Sequence, residues 1–128
     1  MSGHGTIHWN ELNARDAAAT CAWYRDVLGW TIEEMPMEGA PPDAAPYRVA
    51  RVNGEMVAGI FQMEGPQFDG LPDHWATYFA VDDVDASAKA AVAAGGTLRG
   101  EPFDVPGVGR FAMVQDAQGA FMGLVTPG

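Results

Sequence analysis

Apolar and polar residues alternate with period two at residues 6–13 (TIHWNELN), which predicts an opening strand. Asp16 then stands where a helix N-cap is wanted, and DAAATCAWYRDVL predicts a helix through Leu28. On that helix Ala19, Trp23 and Val27 share one apolar stripe, with Tyr24 and Leu28 beside it. Gly29 occupies the position where a left-handed residue ends a helix. Residues 30–35 predict a second strand, and the proline-rich residues 36–46 a loop. Residues 47–52 and 55–63 flank Asn53-Gly54, the strongest short hairpin signal. After a linker at 64–73 the order restarts: a strand at 74–81, a helix from Asp83 to Gly95-Gly96, and a strand at 97–101. A loop with Pro102, Pro106 and Gly107 follows, and a closing hairpin over 110–115 and 120–125. The PGVGR stretch at 106–110 reads as a turn near the mouth of any pocket, because no helix follows it to hold a phosphate.

The two halves match at one offset. Leu12, Asp16, Thr20 and Gly29 align with Phe79, Asp83, Ser87 and Gly96, each 67 residues on. Arg48 and Arg110 head the two hairpins at an offset of 62, and Gly54 and Gly119 sit in their turns at 65. Each half therefore reads as βαβββ. One half alone leaves a sheet face and a helix stripe uncovered, so the fold class expected is α+β with two such modules forming one core. The modules are placed at about 5–63 and 74–126 of a single 128-residue domain.

Composition narrows the function classes. With 17 acidic against 7 basic side chains, a formal charge of −10 disfavours nucleic acid and anionic membranes as partners. Cys21 is the only cysteine, so an internal disulfide and a cysteine zinc site are excluded; mid-helix it reads as a small core residue. Met1–Gly5 lacks a basic, then apolar, leader, and no run of 18 apolar residues occurs, so a soluble cytoplasmic protein is expected. The Asp82, Asp83 and Asp85 cluster reads as a helix N-terminal charge group. His4 falls in a segment expected to fray.

Paired βαβββ units of this length resemble the vicinal oxygen chelate superfamily, which includes glyoxalase I, bleomycin resistance proteins and extradiol dioxygenases. The likeness is carried by AAATCAWYRDVLGW, VDDVDASAKAAVAAGG and DAQGAFMGL. DVPGVGRFA and HWATYFAVDDVD look like a subgroup known as antigens, hydroxylases or glyoxalase-like proteins. It covers about residues 6–126. The resemblance implies a curled mixed sheet forming a cup, a helix outside each half, and a homodimer. In metal-using members it also implies a divalent ion on four side chains. Carried over residue by residue, those positions are Trp9 and Ala76, seven residues before each helix-start Asp, and Ala58 (or Gly59) and Gly123 after each hairpin turn. None offers a ligating side chain. No metal and no other cofactor is therefore expected; the alternative is a divalent ion held in a rearranged site by Glu11 and His74.

Alternation lines the cup with Trp9, Glu11 and Asn13, with His74, Ala76, Tyr78 and Ala80, and with Phe121, Gly123 and Val125. Leu12, Phe79, Val81, Met122 and Leu124 point to the helices. The expected ligand-binding residues are Trp9, Glu11, His74, Tyr78 and Phe121, and the expected ligand is small and planar or apolar. A half-buried Glu11 is pushed toward its neutral form and suits general-base work, making it the candidate catalytic residue. The plainer alternative has Trp9 and Tyr78 filling the cup, with Glu11 bonded to Tyr78. Three functions follow: a metal-free binding protein, a metal-dependent lyase, isomerase or dioxygenase, and a metal-free enzyme using Glu11.

Overall fold

A computed structural model describes residues 3–35, 43–105 and 108–128. Most of the proline-rich loop, residues 36–42, and Pro106 and Gly107 of the PGVGR turn lie outside the described residues. The chain divides into two compact units, residues 10–75 and residues 1–9 with 76–128.

The first of these contains most of β1 (Ile7–Ala14), then α1 (Ala17–Leu28), β2 (Thr31–Met35), β3 (Tyr47–Val52) and β4 (Glu55–Gln62). The strands run in the order β2-β3-β4-β1, with β1 parallel to β4 and the other pairs antiparallel. The second contains β5 (His74–Ala80), α2 (Val84–Ala93), β6 (Thr97–Leu98), β7 (Phe103–Val105), β8 (Gly109–Gln115) and β9 (Phe121–Pro127). Here β5 is parallel to β9, β9 antiparallel to β8, and β6 and β7 both pair with β8. β7 was not expected. Thr97 pairs with Gln115 and Leu98 with Val114, but Phe103 pairs with Phe111, so the register slips by two residues across 99–102. β6 keeps only Thr97–Leu98 of the strand expected at 97–101, which is interrupted where Gly100 turns at φ +86°, and β7 lies beyond Pro102, which cannot donate, in the stretch expected to be a loop.

The helices start the same way in both units. The Ala19 N–H donates to Asp16 Oδ1 at 3.1 Å, and the Ala86 N–H to Asp83 Oδ1 at 3.2 Å. One more N–H at each helix start is met from the last strand: Ala17 donates to Gln62 Oε1 (3.2 Å) and Val84 to Thr126 Oγ1 (3.1 Å). Two of the four donors that a helix start leaves unmet are thereby satisfied in each copy. The ends differ. α1 stops at Gly29, φ +71°, whose N–H returns to Arg25 O. In α2 the left-handed residue is Gly95 (φ +98°), and the Gly96 N–H returns to Ala91 O. Gly29 therefore corresponds in role to Gly95, and the expected Gly96 match is corrected by one residue. His4 is also better held than expected, its Nδ1 accepting the Asp82 N–H at 3.0 Å.

The core of the first unit is Leu12, Ala14, Ala17, Cys21, Ala50, Ala58 and Ile60, with Tyr24, Trp30 and Ile32 against it. Cys21 lies inside it, and burial pushes its thiol up. The stripe expected to face inward is corrected: Trp23 is 57% and Val27 55% exposed. α1 buries its Ala17–Cys21 edge because a small-residue edge lets the helix sit close to the sheet. In the other unit Val84 and Ala88 of α2 pack on Val81, Ala112, Val114 and Leu124.

Arg48 and Arg110 are not counterparts. Arg48 pairs with Ile60, whose counterpart Leu124 pairs with Ala112. Arg110 lies two residues earlier on β8, holding Asp85 at 2.9 and 3.1 Å and Asp104 at 3.1 Å, which lowers the Asp85 carboxyl below its usual range. Arg48 is buried, its side chain 10% exposed, with one ion pair at 3.3 Å to Glu34 and Nη1 without a hydrogen-bond partner. A buried guanidinium so sparsely paired gives back little of its desolvation cost. Arg48→Met is expected to leave stability unchanged or raise it by about 1 kcal/mol in urea denaturation, and a loss of several kcal/mol would refute that reading.

Candidate functional site

The pairing register decides which residues occupy the positions named from the family. Glu11 pairs with Gly59 and Tyr78 with Gly123, and Glu11 and Tyr78 are 67 residues apart. Gly59, not Ala58, is therefore the counterpart of Gly123. The reason is a bulge: Ala50 pairs with Ala58 but Arg51 with Met56, so Val57 is an extra residue in β4. Counting from the turn glycine falls one short.

On the sheet face away from α2, Ala76, Tyr78 and Val125 are buried, and Trp9, Phe111 and Met113 pack against them. Trp9 and Tyr78 are thus brought together in one cluster, as alternation predicts. Tyr78 is 7% exposed and stands edge-on to Phe111, with ring centroids 5.5 Å apart. Phe111 stacks on Phe103 at 5.7 Å. The Tyr78 ring lies directly over Gly123: a Cβ built there would fall 2.1 Å from Tyr78 Cδ1. Phe111, Met113 and Phe103 were missed as site residues, although period two along β8 puts Phe111 and Met113 on one face.

The other expected residues are placed differently. Glu11 follows Trp9 by two on β1 and so shares its face. Tyr47 Oη donates to Glu11 Oε2 at 2.8 Å, a partner 36 residues away. His74 Nδ1 sits 2.9 Å from Pro72 O. A carbonyl only accepts, so Nδ1 is the donor in this contact. Phe121 is exposed at the start of β9, and the Arg99 guanidinium covers its ring at 5.4 Å. It stands outside the Tyr78 cluster.

The donor set does not suit the superfamily's metal. Trp9, Gly59, Ala76 and Gly123 carry no side-chain lone pair for a cation, and the space above Gly123 holds an aromatic ring. Among the described residues no three His, Cys, Asp or Glu side chains gather as a metal site. No described helix is long and apolar enough to cross a membrane.

Residues 6–122 match the model of the "Glyoxalase/Bleomycin resistance protein/Dioxygenase superfamily". The chain is 41% identical over 123 residues to "Putative glyoxylase CFP32" of Mycobacterium tuberculosis, covering 96% of this chain and 44% of that protein. It is 34% identical over 127 residues to "Anthracycline biosynthesis protein DnrV" of Streptomyces peucetius, covering 91% and 45%. The chain spans less than half the length of these curated relatives. Among solved structures, methylmalonyl-CoA epimerase from Mycobacterium tuberculosis superposes with a TM-score of 0.63 at 19% identity, covering 100% of this chain and 91% of that one. At that identity the likeness shows the fold, which is the α+β arrangement of βαβββ modules expected from the repeat. The matched family model, over nearly the whole chain, makes this protein a member of the glyoxalase/bleomycin resistance protein/dioxygenase superfamily.

Proposed function

We propose that this chain binds a small planar or apolar molecule through aromatic side chains, without the metal of its superfamily. The observation that carries the reading is the Tyr78 ring over Gly123, at a position where metal-using members keep a ligand. An aromatic ring has replaced both the ligand and the room for it. Around it Trp9 and Phe111 add flat apolar surface. Such surface, with a few fixed polar groups, is the usual make-up of a small-molecule site. Glu11, whose carboxylate accepts from Tyr47, is the candidate polar group of its own unit. The same carboxylate is the general base if the bound molecule is also turned over. The name of DnrV fits this ligand class, since anthracyclines are planar fused-ring compounds.

The test is titration of the protein with an anthracycline, followed by tryptophan fluorescence and calorimetry, with and without a chelator. Binding is expected in both conditions, and Trp9→Ala and Phe111→Ala should each weaken it at least about tenfold, as loss of a central aromatic contact does. Loss of binding on chelation, with recovery on adding a divalent ion, would favour the metal-dependent lyase, isomerase or dioxygenase instead. Glu11→Gln separates binding from turnover: a base is needed for the second only.

A further inference from the structure

Two arginines of this chain show what a satisfied guanidinium looks like. Arg51, its side chain 32% exposed, gives Nε and Nη2 to Glu33 and Nη1 to Gly54 O. Arg110, 37% exposed, gives Nε and Nη2 to Asp85 and Nη1 to Asp104. Arg48 is more buried than either and less satisfied. Its Nη2 donates to Glu34 Oε2 at 3.3 Å, while Nη1, shielded from solvent, has no acceptor. The repeat supplies an internal control. Ile60 corresponds to Leu124, so the place of Arg48 is held in the other unit by Ala112, which is fully buried. The module does not need a guanidinium there. A buried charge that returns so little to stability breaks the rules of a core, and such breaks gather at functional sites.

The surroundings of Arg48 are cationic. Arg48 pairs with Glu34 on β2 and with Ile60 on β4, so the three side chains share the sheet face under α1. β2 ends the strand order, which puts the guanidinium one strand in from the sheet edge. Burial raises the Cys21 thiol, and the charges that act on it are Arg48, Arg25 and Glu34, in that order. Arg25 follows Cys21 by four on α1 and so lies along the same edge of the helix. Two guanidiniums and one carboxylate therefore meet between α1 and the sheet, a local excess of one positive charge in a chain of net charge −10.

We propose that Nη1 of Arg48 receives the carboxylate of a small organic acid, with Glu34 kept on Nη2 and Arg25 adding its charge from α1. A second carboxylate is what the chain itself supplies at Nη1 of Arg110. Hydrogen bonds between opposite ions are the strong ones, and a guanidinium is built to hold more than one carboxylate. A single negative charge balances the local excess, which favours a monoanion over a phosphate dianion. Ile32, Ala50 and Ile60 make this face apolar, so the rest of the acid is a short alkyl group. The site uses none of the residues of the Tyr78 cluster, and its ligand is a different one.

NMR titration with butyrate at neutral pH, followed on the Arg48 Nε–H and Cys21 amide signals, tests this. Saturable shifts are expected, at lower concentrations of butyrate than of inorganic phosphate. Arg48→Met removes the donor and should weaken binding at least about tenfold, the loss expected for a hydrogen bond to a charged group. Circular dichroism and urea unfolding of that variant should match the wild type. If it fails to fold, Arg48→Lys carries the comparison, since it keeps the charge without the planar donor set and should also bind more weakly. Arg25→Ala should weaken binding only about two- to fivefold, as loss of an exposed charge partner does. Glu34→Gln frees the guanidinium from its own carboxylate and should tighten binding. A wild-type chain without saturable shifts, unchanged affinity of Arg48→Met, or phosphate held as tightly as butyrate would overturn the proposal.

Discussion

Gly123→Ala is expected to lower the unfolding free energy by about 2–3 kcal/mol, a large effect for one added methyl group. The methyl would lie 2.1 Å from Cδ1 and 2.3 Å from Cε1 of Tyr78. A long surface side chain could step aside, but Tyr78 cannot. Its ring is held among Ala76, Val125 and Phe111, and moving it exposes buried aromatic surface. The φ of Gly123 is not in the left-handed region, so the cost comes from crowding alone. Urea denaturation of a double-mutant cycle gives the check. Tyr78→Ala alone should cost about 3–5 kcal/mol, as large aromatic truncations do. Once the ring is gone the added methyl has room, so the double variant should be more stable than the sum by at least about 1 kcal/mol. A neutral Gly123→Ala would mean that the ring does not cover the glycine, and the proposed site would lose its main support. By the same crowding, Gly123→Glu is not expected to create a metal site.

The second large effect is expected at Gly96. A Cβ there would fall 2.5 Å from Gln115 O and 2.9 Å from Ala91 O. Both are backbone atoms, one in β8 and one in α2, so relief requires the helix end to move off the sheet. Gly96→Ala should cost about 3 kcal/mol, at the upper end for overpacking. Gly95→Ala makes the contrast. Its only near atom is the Ala117 Cβ at 3.6 Å, but its φ is +98°. There the cost is conformational, roughly 1–2 kcal/mol. Thermal or urea unfolding of the two variants should rank Gly96→Ala as the more damaging. Equal losses would show that the helix end, not the strand contact, sets the requirement for glycine.

These two glycines show how far reading along the chain could go. The offset of 67 found both helix caps, Asp16 and Asp83, because a cap is a local event between residues three apart. Asn53-Gly54 located its hairpin for the same reason: Asn53 at φ 52° and Gly54 at φ 81° are a two-residue matter. Gly95-Gly96 announced a helix end, yet which glycine turns and which packs depended on β8. Trp23 and Val27 were read as an inward stripe on helical periodicity alone. Which edge of α1 faces the sheet depends on the size of the side chains across the contact, and the Ala17–Cys21 edge allows the closer approach.

The candidate site divides along the same line. Period-two alternation put Trp9, Tyr78 and Gly123 on one face of their strands, and the family likeness implied that Trp9, Ala76 and Gly123 stand where ligands would. Both readings depend only on order and spacing. Tyr47 donating to Glu11, Phe111 against Tyr78, and the choice of Gly59 over Ala58 did not follow, since each depends on strand register. An extra residue at Val57 shifts that register without leaving a turn signal in the chain. By itself the sequence determined the repeat, the helix caps and the hairpin turns. Those follow from residue identity and interactions a few residues apart. Only the tertiary structure decided that a tyrosine ring fills the space above Gly123, and that Arg48 is buried with Nη1 unpaired. Those depend on which side chains from distant segments compete for the same volume.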